Sequence, residues 1–209
     1  MIFKDSLRSS MRALLIFFCL VCSIATFAQD PAPVSMLKQS TVEMLAVLKS
    51  HQGTLKSKPQ YLEGQIRRIV VPKFDVVAMA QSVVGRRHWQ QASPVQQQTF
   101  IREFTNLVIG VYAGPLTGYN GDSVRFLPLR SGVEGQSLII VQTIIHRPTG
   151  QNVAVNYSLK RSGNGWKVYD FSIEGISMIA SFRSQFADVL ERGGMSGLLA
   201  QIRTHNRGT

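Results

Sequence analysis

Asp170 is the carboxylate in the most suggestive setting. It alternates with Tyr169 and Phe171 in a strand-like segment. An acid there is either the general base of a small α+β enzyme or a structural group paired with an arginine. No second polar group accompanies it, so the structural role is expected. Asp75 precedes an apolar run and has the position of a helix N-cap. His51, His88, His146 and His205 stand far apart, and none has a His or Cys at ligand spacing, so no metal is expected. The chain contains no G-x-S-x-G, Walker A or H-E-x-x-H motif. Gly163-Asn164-Gly165 falls in a turn between strands and has no phosphate-loop context. Arg183 falls on a largely apolar helix face. It is expected to pair with Asp170 or a glutamate and hold helix to sheet, with a place near a bound head group as the alternative. No catalytic residues and no cofactor are expected, and a binding protein is the better class.

The elements that would position such residues are helices first and strands second. Leu37, Thr41, Met44, Leu45 and Leu48 repeat with the period of one helical face within 34–55. Pro59 opens a short helix carrying Leu62, Ile66, Ile69 and Val70, which Pro72 closes. Asp75 starts another that stops at Gly85. Ser93-Pro94-Val95-Gln96 is a capping box with Pro at the first helical position. Phe100, Phe104, Leu107, Val108, Val111 and Tyr112 follow on one face, and Pro115 ends the helix. From Ser123 the period becomes two. Four strands are predicted at about 123–130, 137–146, 152–161 and 166–174, with turn residues between them. The segment 138–145 is apolar on both faces, which predicts a central strand covered on both sides. The helical period returns from Ile176 to about residue 206, broken at Gly193-Gly194. Helices, then strands, then helices imply an α+β fold with helices gathered on a twisted antiparallel sheet.

The chain has 209 residues, with 23 Lys and Arg against 12 Asp and Glu, a net charge of +11. Its beginning has the order of a secretory signal peptide. Lys4, Arg8 and Arg12 precede an apolar run from Ala13 to Ala28, which ends in Thr26-Phe27-Ala28. Cleavage after residue 28 is expected, leaving 29–209 as a single domain: helical over 33–115, sheet over 122–174 and helical again over 176–206. Both cysteines, Cys19 and Cys22, lie in the removed segment, so no disulfide, thiol chemistry or Cys-ligated metal remains. Phe18 and Val21 precede them where a lipoprotein needs a small residue. Removing Lys4, Arg8, Arg12 and Asp5 leaves 20 basic against 11 acidic residues, a net of +9. The expected product is an exported basic monomer, most simply periplasmic. Nucleic acid is a poor partner for it there; anionic head groups and acidic membrane proteins are better ones. The basic residues are scattered, as on a solvated face.

An ordered set of short matches is more specific than any of these. Val71-Pro72-Lys73-Phe74-Asp75, Val84-Gly85-Arg86-Arg87-His88-Trp89, Ala92-Ser93-Pro94 and Val111-Tyr112-Ala113 occur in the first half. Val155-Asn156-Tyr157, Trp166-Lys167-Val168-Tyr169-Asp170, Ile173-Glu174-Gly175-Ile176-Ser177 and Phe182-Arg183-Ser184-Gln185-Phe186 occur in the second. Together they resemble the MlaC family of periplasmic phospholipid-binding proteins, also known as a toluene-tolerance component of an ABC transport system. The resemblance implies a nuclear-transport-factor-like cone. It also implies a carrier of phospholipid between an outer-membrane lipoprotein–porin complex and an inner-membrane ABC transporter with its substrate-binding ring. The chain departs from the pattern where Gly110, Gly114 and Pro115 flank Tyr112-Ala113, at what would be the mouth of a pocket. A hopanoid- or sterol-like cargo, or a cone-shaped enzyme using Asp170, are the alternatives.

A carrier of this kind answers a physical need. Exposing acyl chains to water costs about 0.8 kcal/mol per CH₂, so two chains of roughly 14 methylenes cost on the order of 20 kcal/mol. An apolar slot between sheet and helices would replace that burial without catalyst or metal. The slot is expected between the sheet and the helix over 93–113. Its expected liners are Leu107, Val111, Tyr112, Val141, Thr143, Val155, Tyr157 and Ile173.

Overall fold

The computed structural model of the chain describes residues 30–208 apart from 131 and 164. The signal-peptide reading over 1–28 lies outside the described residues. Helix α1 (Ala32–Ser50) has Pro31 at its N-cap and Pro33 in its first turn, where a missing N–H costs nothing. A 3₁₀ turn (Leu55–Ser57) leads to α2 (Pro59–Ile69), and a second (Val71–Lys73) leads to α3 (Val76–Val84). The Asp75 side chain accepts from the Ala78 amide at 2.9 Å, the expected N-cap. A helix not predicted from the sequence, α4 (Arg86–Gln91), follows Gly85. It has no apolar period to betray it. Gly85 sits at φ 80°, a conformation that favours glycine, and turns the chain between the two helices.

Helix α5 (Pro94–Leu116) opens on the full capping box of Ser93 and Gln96. It continues past the predicted end at 113, with Pro115 inside its last turn. That position costs the helix only one amide bond near an end that frays anyway.

Five strands follow, not four: β1 (Ser123–Phe126), β2 (Leu138–His146), β3 (Asn152–Ser162), β4 (Gly165–Ile173) and β5 (Ile176–Ser177). They form one antiparallel sheet in the order β1-β2-β3-β4-β5. β1 is shorter than predicted. The Leu127 amide still reaches the Gln142 carbonyl at 2.9 Å, but Pro128 has no N–H to extend the ladder. The unpredicted β5 arises because Glu174 and Gly175 both adopt positive φ (50° and 80°), a tight turn that folds Ile176-Ser177 back onto Ser172-Ile173. The last helix, α6 (Met178–Gly208), therefore starts two residues later than predicted. Gly194 interrupts it at φ 56°, ψ −155°, where a break was expected.

Register fixes the two faces of the sheet. Val141 pairs with Tyr157, Thr143 with Val155, Val155 with Ile173, and Tyr157 with Phe171. These residues share the inner face with Ile139, Leu159 and Val168. The register shifts between Ser158 and Leu159, leaving Tyr169 as the extra residue of a bulge on β4. Val168 and Phe171 are three residues apart, so strict alternation would place them on opposite faces. The bulge brings both inward.

Three apolar clusters hold the molecule. α3, α5 and α6 meet around Phe100, Phe104, Phe182 and Phe186. The end of α1, α2 and the opposite stripe of α5 meet around Leu48, Leu62, Ile66 and Ile109. The start of α1, through Val34 and Leu37, covers Ile139, Val141, Leu159, Trp166 and Val168 at one end of the sheet. The outer face is not covered throughout as predicted: Leu138 and Ile140 are 56% and 58% exposed.

Candidate functional site

The inner face of the sheet is closed at one end and open at the other. Under α1 its residues are buried. Towards the other end, Val124, Ile145, Val153, Phe171 and Ile173 are only half-buried, while Thr143 and Val155 between the two ends are buried. α1 lies against β1 and β4, and α3 and α6 against β4, whereas α5 packs mainly on α2, α3 and α6. α5 meets the inner face through Tyr112, whose ring stands edge-on to Phe171 at 5.0 Å.

The phase of α5 explains the space. Residues four or seven apart share a stripe. Phe100, Phe104 and Leu107 point into the α3–α6 cluster, and Ile109 and Ala113 into the α2 cluster. Ile101, Thr105, Val108 and Tyr112 lie between these stripes and are all half-buried. The Thr105 hydroxyl is tied to the Ile101 carbonyl at 2.7 Å, so this stripe is effectively apolar. This half-buried stripe and the half-buried residues of the inner sheet face are the candidate walls of the expected slot.

Tyr157 is half-buried where the cluster under α1 ends. Burial pushes its hydroxyl up to about 12, the behaviour of a group far from bulk water. Across the slot, Tyr112 is also raised, first by burial and then by the charge of Asp170.

Of the predicted liners, the register brings Val141, Thr143, Val155, Tyr157 and Ile173 onto one face, and Tyr112 meets them through Phe171. They are not equivalent. Val141 is fully buried under α1, and Thr143 donates to the Val155 carbonyl at 2.8 Å, so its hydroxyl is committed. Leu107 and Val111 lie off the stripe that carries Tyr112. They precede Val108 and Tyr112 by one residue, about 100° around the helix. Leu107 is buried in the α3–α6 cluster, and Val111 is 43% exposed. Phe171, Val108 and Ile101, half-buried beside Tyr112, were not among the expected liners. The α5 pair is readable from its spacing to Tyr112; Phe171 is not, because only the bulge turns it inward.

The two polar candidates have structural roles. Asp170 accepts from the Ser177 hydroxyl at 2.6 Å and from the Ile179 amide at 3.1 Å, which caps the start of α6. Arg183 does not pair with Asp170; its guanidinium donates to the Ser82 carbonyl at 2.9 Å and ties α6 to the end of α3. That carbonyl lies in the last turn of a helix, where a cation is favoured. A separate cleft of about 450 Å³ lies outside the slot, lined by Met36, Pro72, Lys73, Arg161, Trp166 and Lys167 among others. Two of its three cations are held by the protein: Lys167 donates to the Pro72 carbonyl, and Arg161 stacks over Trp166 at 4.9 Å. Among the described residues no group of three His, Cys, Asp or Glu could hold a metal ion, and no helix is long and apolar enough to cross a membrane.

Residues 38–204 match the family model described as MlaC protein. The toluene tolerance protein ttg2D of Pseudomonas putida is 28% identical over 186 residues, covering 88% of this chain and 83% of that protein. The intermembrane phospholipid transport system binding protein MlaC of Haemophilus influenzae is 22% identical over 181 residues, covering 85% and 84%. A phospholipid-binding protein from Ralstonia solanacearum, solved in complex with a phospholipid, superimposes with a TM-score of 0.77 at 31% identity. The match covers 83% of this chain and 96% of that one.

Proposed function

The chain belongs to the MlaC family, and from that premise we propose that it is a phospholipid carrier whose slot between α5 and the sheet takes the acyl chains. The observation that carries this reading is the half-covered apolar face around Tyr112, Tyr157, Phe171 and Ile173, in a fold shared with a phospholipid-bound relative. Burying two acyl chains offsets on the order of 20 kcal/mol of exposure. A wall of apolar side chains supplies that without any reactive group, so the protein acts as a carrier and not as an enzyme.

The rest of the reading rests on the sequence of the first 30 residues and on what the family implies. Residues 1–28 are a cleaved signal peptide, 29–209 are one lipid-binding domain, and the mature protein works in the periplasm as a monomer. It shuttles lipid between an outer-membrane lipoprotein–porin complex and an inner-membrane ABC transporter with its substrate-binding ring. This serves the lipid asymmetry of the outer membrane. The basic surface steers docking to acidic partners.

Mass spectrometry of an organic extract of the purified protein tests the cargo. Two-chain phospholipids at near one per protein are the expected result. A cyclic lipid such as a hopanoid in their place, or a protein that carries no lipid and takes none from vesicles, would overturn it.

A further inference from the structure

We propose that the cleft beside the β3–β4 hairpin binds a phosphate group carried on an apolar body, as a second ligand site separate from the acyl slot. This goes beyond the carrier reading and does not depend on it.

The cleft is built where two segments distant in sequence meet. Phe74 forms a parallel bridge with Val168, and the Asp75 amide donates to the Val168 carbonyl at 2.8 Å. That pairing sets Pro72 and Lys73 beside Trp166 and Lys167, and the start of α1 and Val133 supply further walls. The liners include three cations and no acid. Lys73 is half-buried, and its ammonium has no partner among the described residues. Lys167 commits one of its three N–H groups to the Pro72 carbonyl. Arg161 donates through Nε to the Gln136 carbonyl at 2.9 Å and through Nη2 to the Val133 carbonyl at 3.4 Å, which leaves Nη1 available. These carbonyls satisfy hydrogen bonds but cancel no charge. Asp75, whose carboxylate feels the charge of Lys167, is already held by Lys160 at 2.9 Å and by the Ala78 amide. Asp30 and Glu134, close in sequence to the liners Ala32 and Val133, are exposed and do not line the cleft. Three like charges around one concavity repel one another and favour the entry of an anion.

The walls fix the chemistry of that anion. A carboxylate pairs best with a guanidinium fork, but the fork of Arg161 is engaged by backbone carbonyls. Lys73 and Lys167 act as point charges, the manner in which lysine takes phosphate. Met36, Val133 and the Trp166 ring supply apolar surface beside them. A cleft of about 450 Å³ has room for about 15 groups of water size at ~30 Å³ each. That suits a phosphate with a short apolar body and is too little for a two-chain lipid.

The test titrates the purified protein, its lipid left in place, with inorganic phosphate, monobutyl phosphate and butanol in a calorimeter. Monobutyl phosphate is expected to bind saturably and about tenfold tighter than inorganic phosphate, the worth of two buried methylenes. Butanol is expected not to bind. Lys73→Gln is expected to weaken monobutyl phosphate about fivefold, the worth of one partly exposed ion pair. Its melting temperature and its extracted lipid should not change, because the Lys73 ammonium holds no other group. Sedimentation with phosphatidylglycerol or phosphatidylcholine vesicles distinguishes the sources of the phosphate. Binding to the first alone, competed by monobutyl phosphate, assigns it to a membrane lipid; binding to neither assigns it to a soluble molecule, and both results keep the site. Absence of saturable binding, equal affinity with and without the butyl group, or an affinity unchanged in Lys73→Gln overturns the proposal and leaves the carrier reading standing. Loss of the extracted lipid in Lys73→Gln also overturns it, since cleft and slot would then be one site. A wild-type protein without lipid bears on the carrier reading alone.

Discussion

Helix α5 faces two regions built from the same kinds of residue with opposite results. On its Phe100–Phe104–Leu107 side, aromatic rings fill the space: Phe100 and Phe104 stack at 5.4 Å, and Phe182 stands edge-on to Phe104 at 5.2 Å. Those side chains are almost completely buried. On its Ile101–Val108–Tyr112 side, aromatic rings also gather, with Phe171 between Tyr112 and Phe74 at 5.0 and 6.0 Å, yet every one of them is only half-buried. Apolar composition therefore does not distinguish a core from a container. Completeness of burial does.

The sharpest way to break this contrast is to put the same charge on both kinds of site. Val141 and Ile173 both point to the inner face, but Val141 lies under α1 and Ile173 at the open end. Val141→Glu buries an unpaired charge in solid packing, and the protein is expected to lose its cooperative thermal transition. Ile173→Glu can hydrate from the slot, so the fold is expected to survive with a transition a few degrees lower while lipid co-purification is lost. Calorimetry and lipid extraction on the two variants read both outcomes. A folded Val141→Glu protein, or an Ile173→Glu protein still loaded with lipid, would erase the distinction.

Truncation gives a smaller and more graded version of the same test. Phe104→Ala is expected to cost about 4 kcal/mol in urea unfolding, since the ring contacts Phe100, Phe182 and Phe186 and leaves a cavity among them. Ile173→Ala, half-buried against free space, is expected to cost about 1 kcal/mol. Lipid occupancy should move the other way, little changed in the first and reduced in the second. Equal costs would mean that the slot is packed as tightly as the helical cluster.

The sequence carried much of the frame. The capping box at Ser93, the cap at Asp75, the break at Gly193-Gly194 and the antiparallel strands all come from side chains whose local chemistry is written in one or a few neighbouring residues. The site was legible only in part, and the reason is phase. Period-two counting assigned Val141, Thr143, Val155 and Tyr157 to one face because β2 and β3 pair without interruption. It could not foresee the bulge at Tyr169, which depends on how β4 meets β3, nor that Phe171 thereby turns inward. On α5, the apolar residues serve three different neighbours, so a single face drawn through Leu107, Val111 and Tyr112 mixed stripes that tertiary packing separates. The outer exposure of Leu138 and Ile140 was likewise invisible, because an apolar run reports composition and not what covers it.

Asp75 sits at the joint between the two regions, and its titration offers the mildest perturbation. Its amide donates to the Val168 carbonyl at 2.8 Å, tying the start of α3 to β4, while its carboxylate caps α3 and meets Lys160 at 2.9 Å. Burial alone would raise its pKa, but the Ala78 amide, Lys160 and Lys167 outweigh that and hold it below the ordinary value of 3.8. A carboxyl held lower in the folded state than in the unfolded one stabilises the fold above its unfolded value and ceases to do so as pH falls through the folded value. Asp75→Ala is therefore expected to cost about 1 kcal/mol at pH 7, the worth of a helix cap. The difference from wild type should shrink as pH drops below 3.8. Urea unfolding of both proteins at pH 7 and at the lowest pH where both fold measures it. A difference that stays constant across that range would assign the effect to packing at the joint and not to the carboxylate.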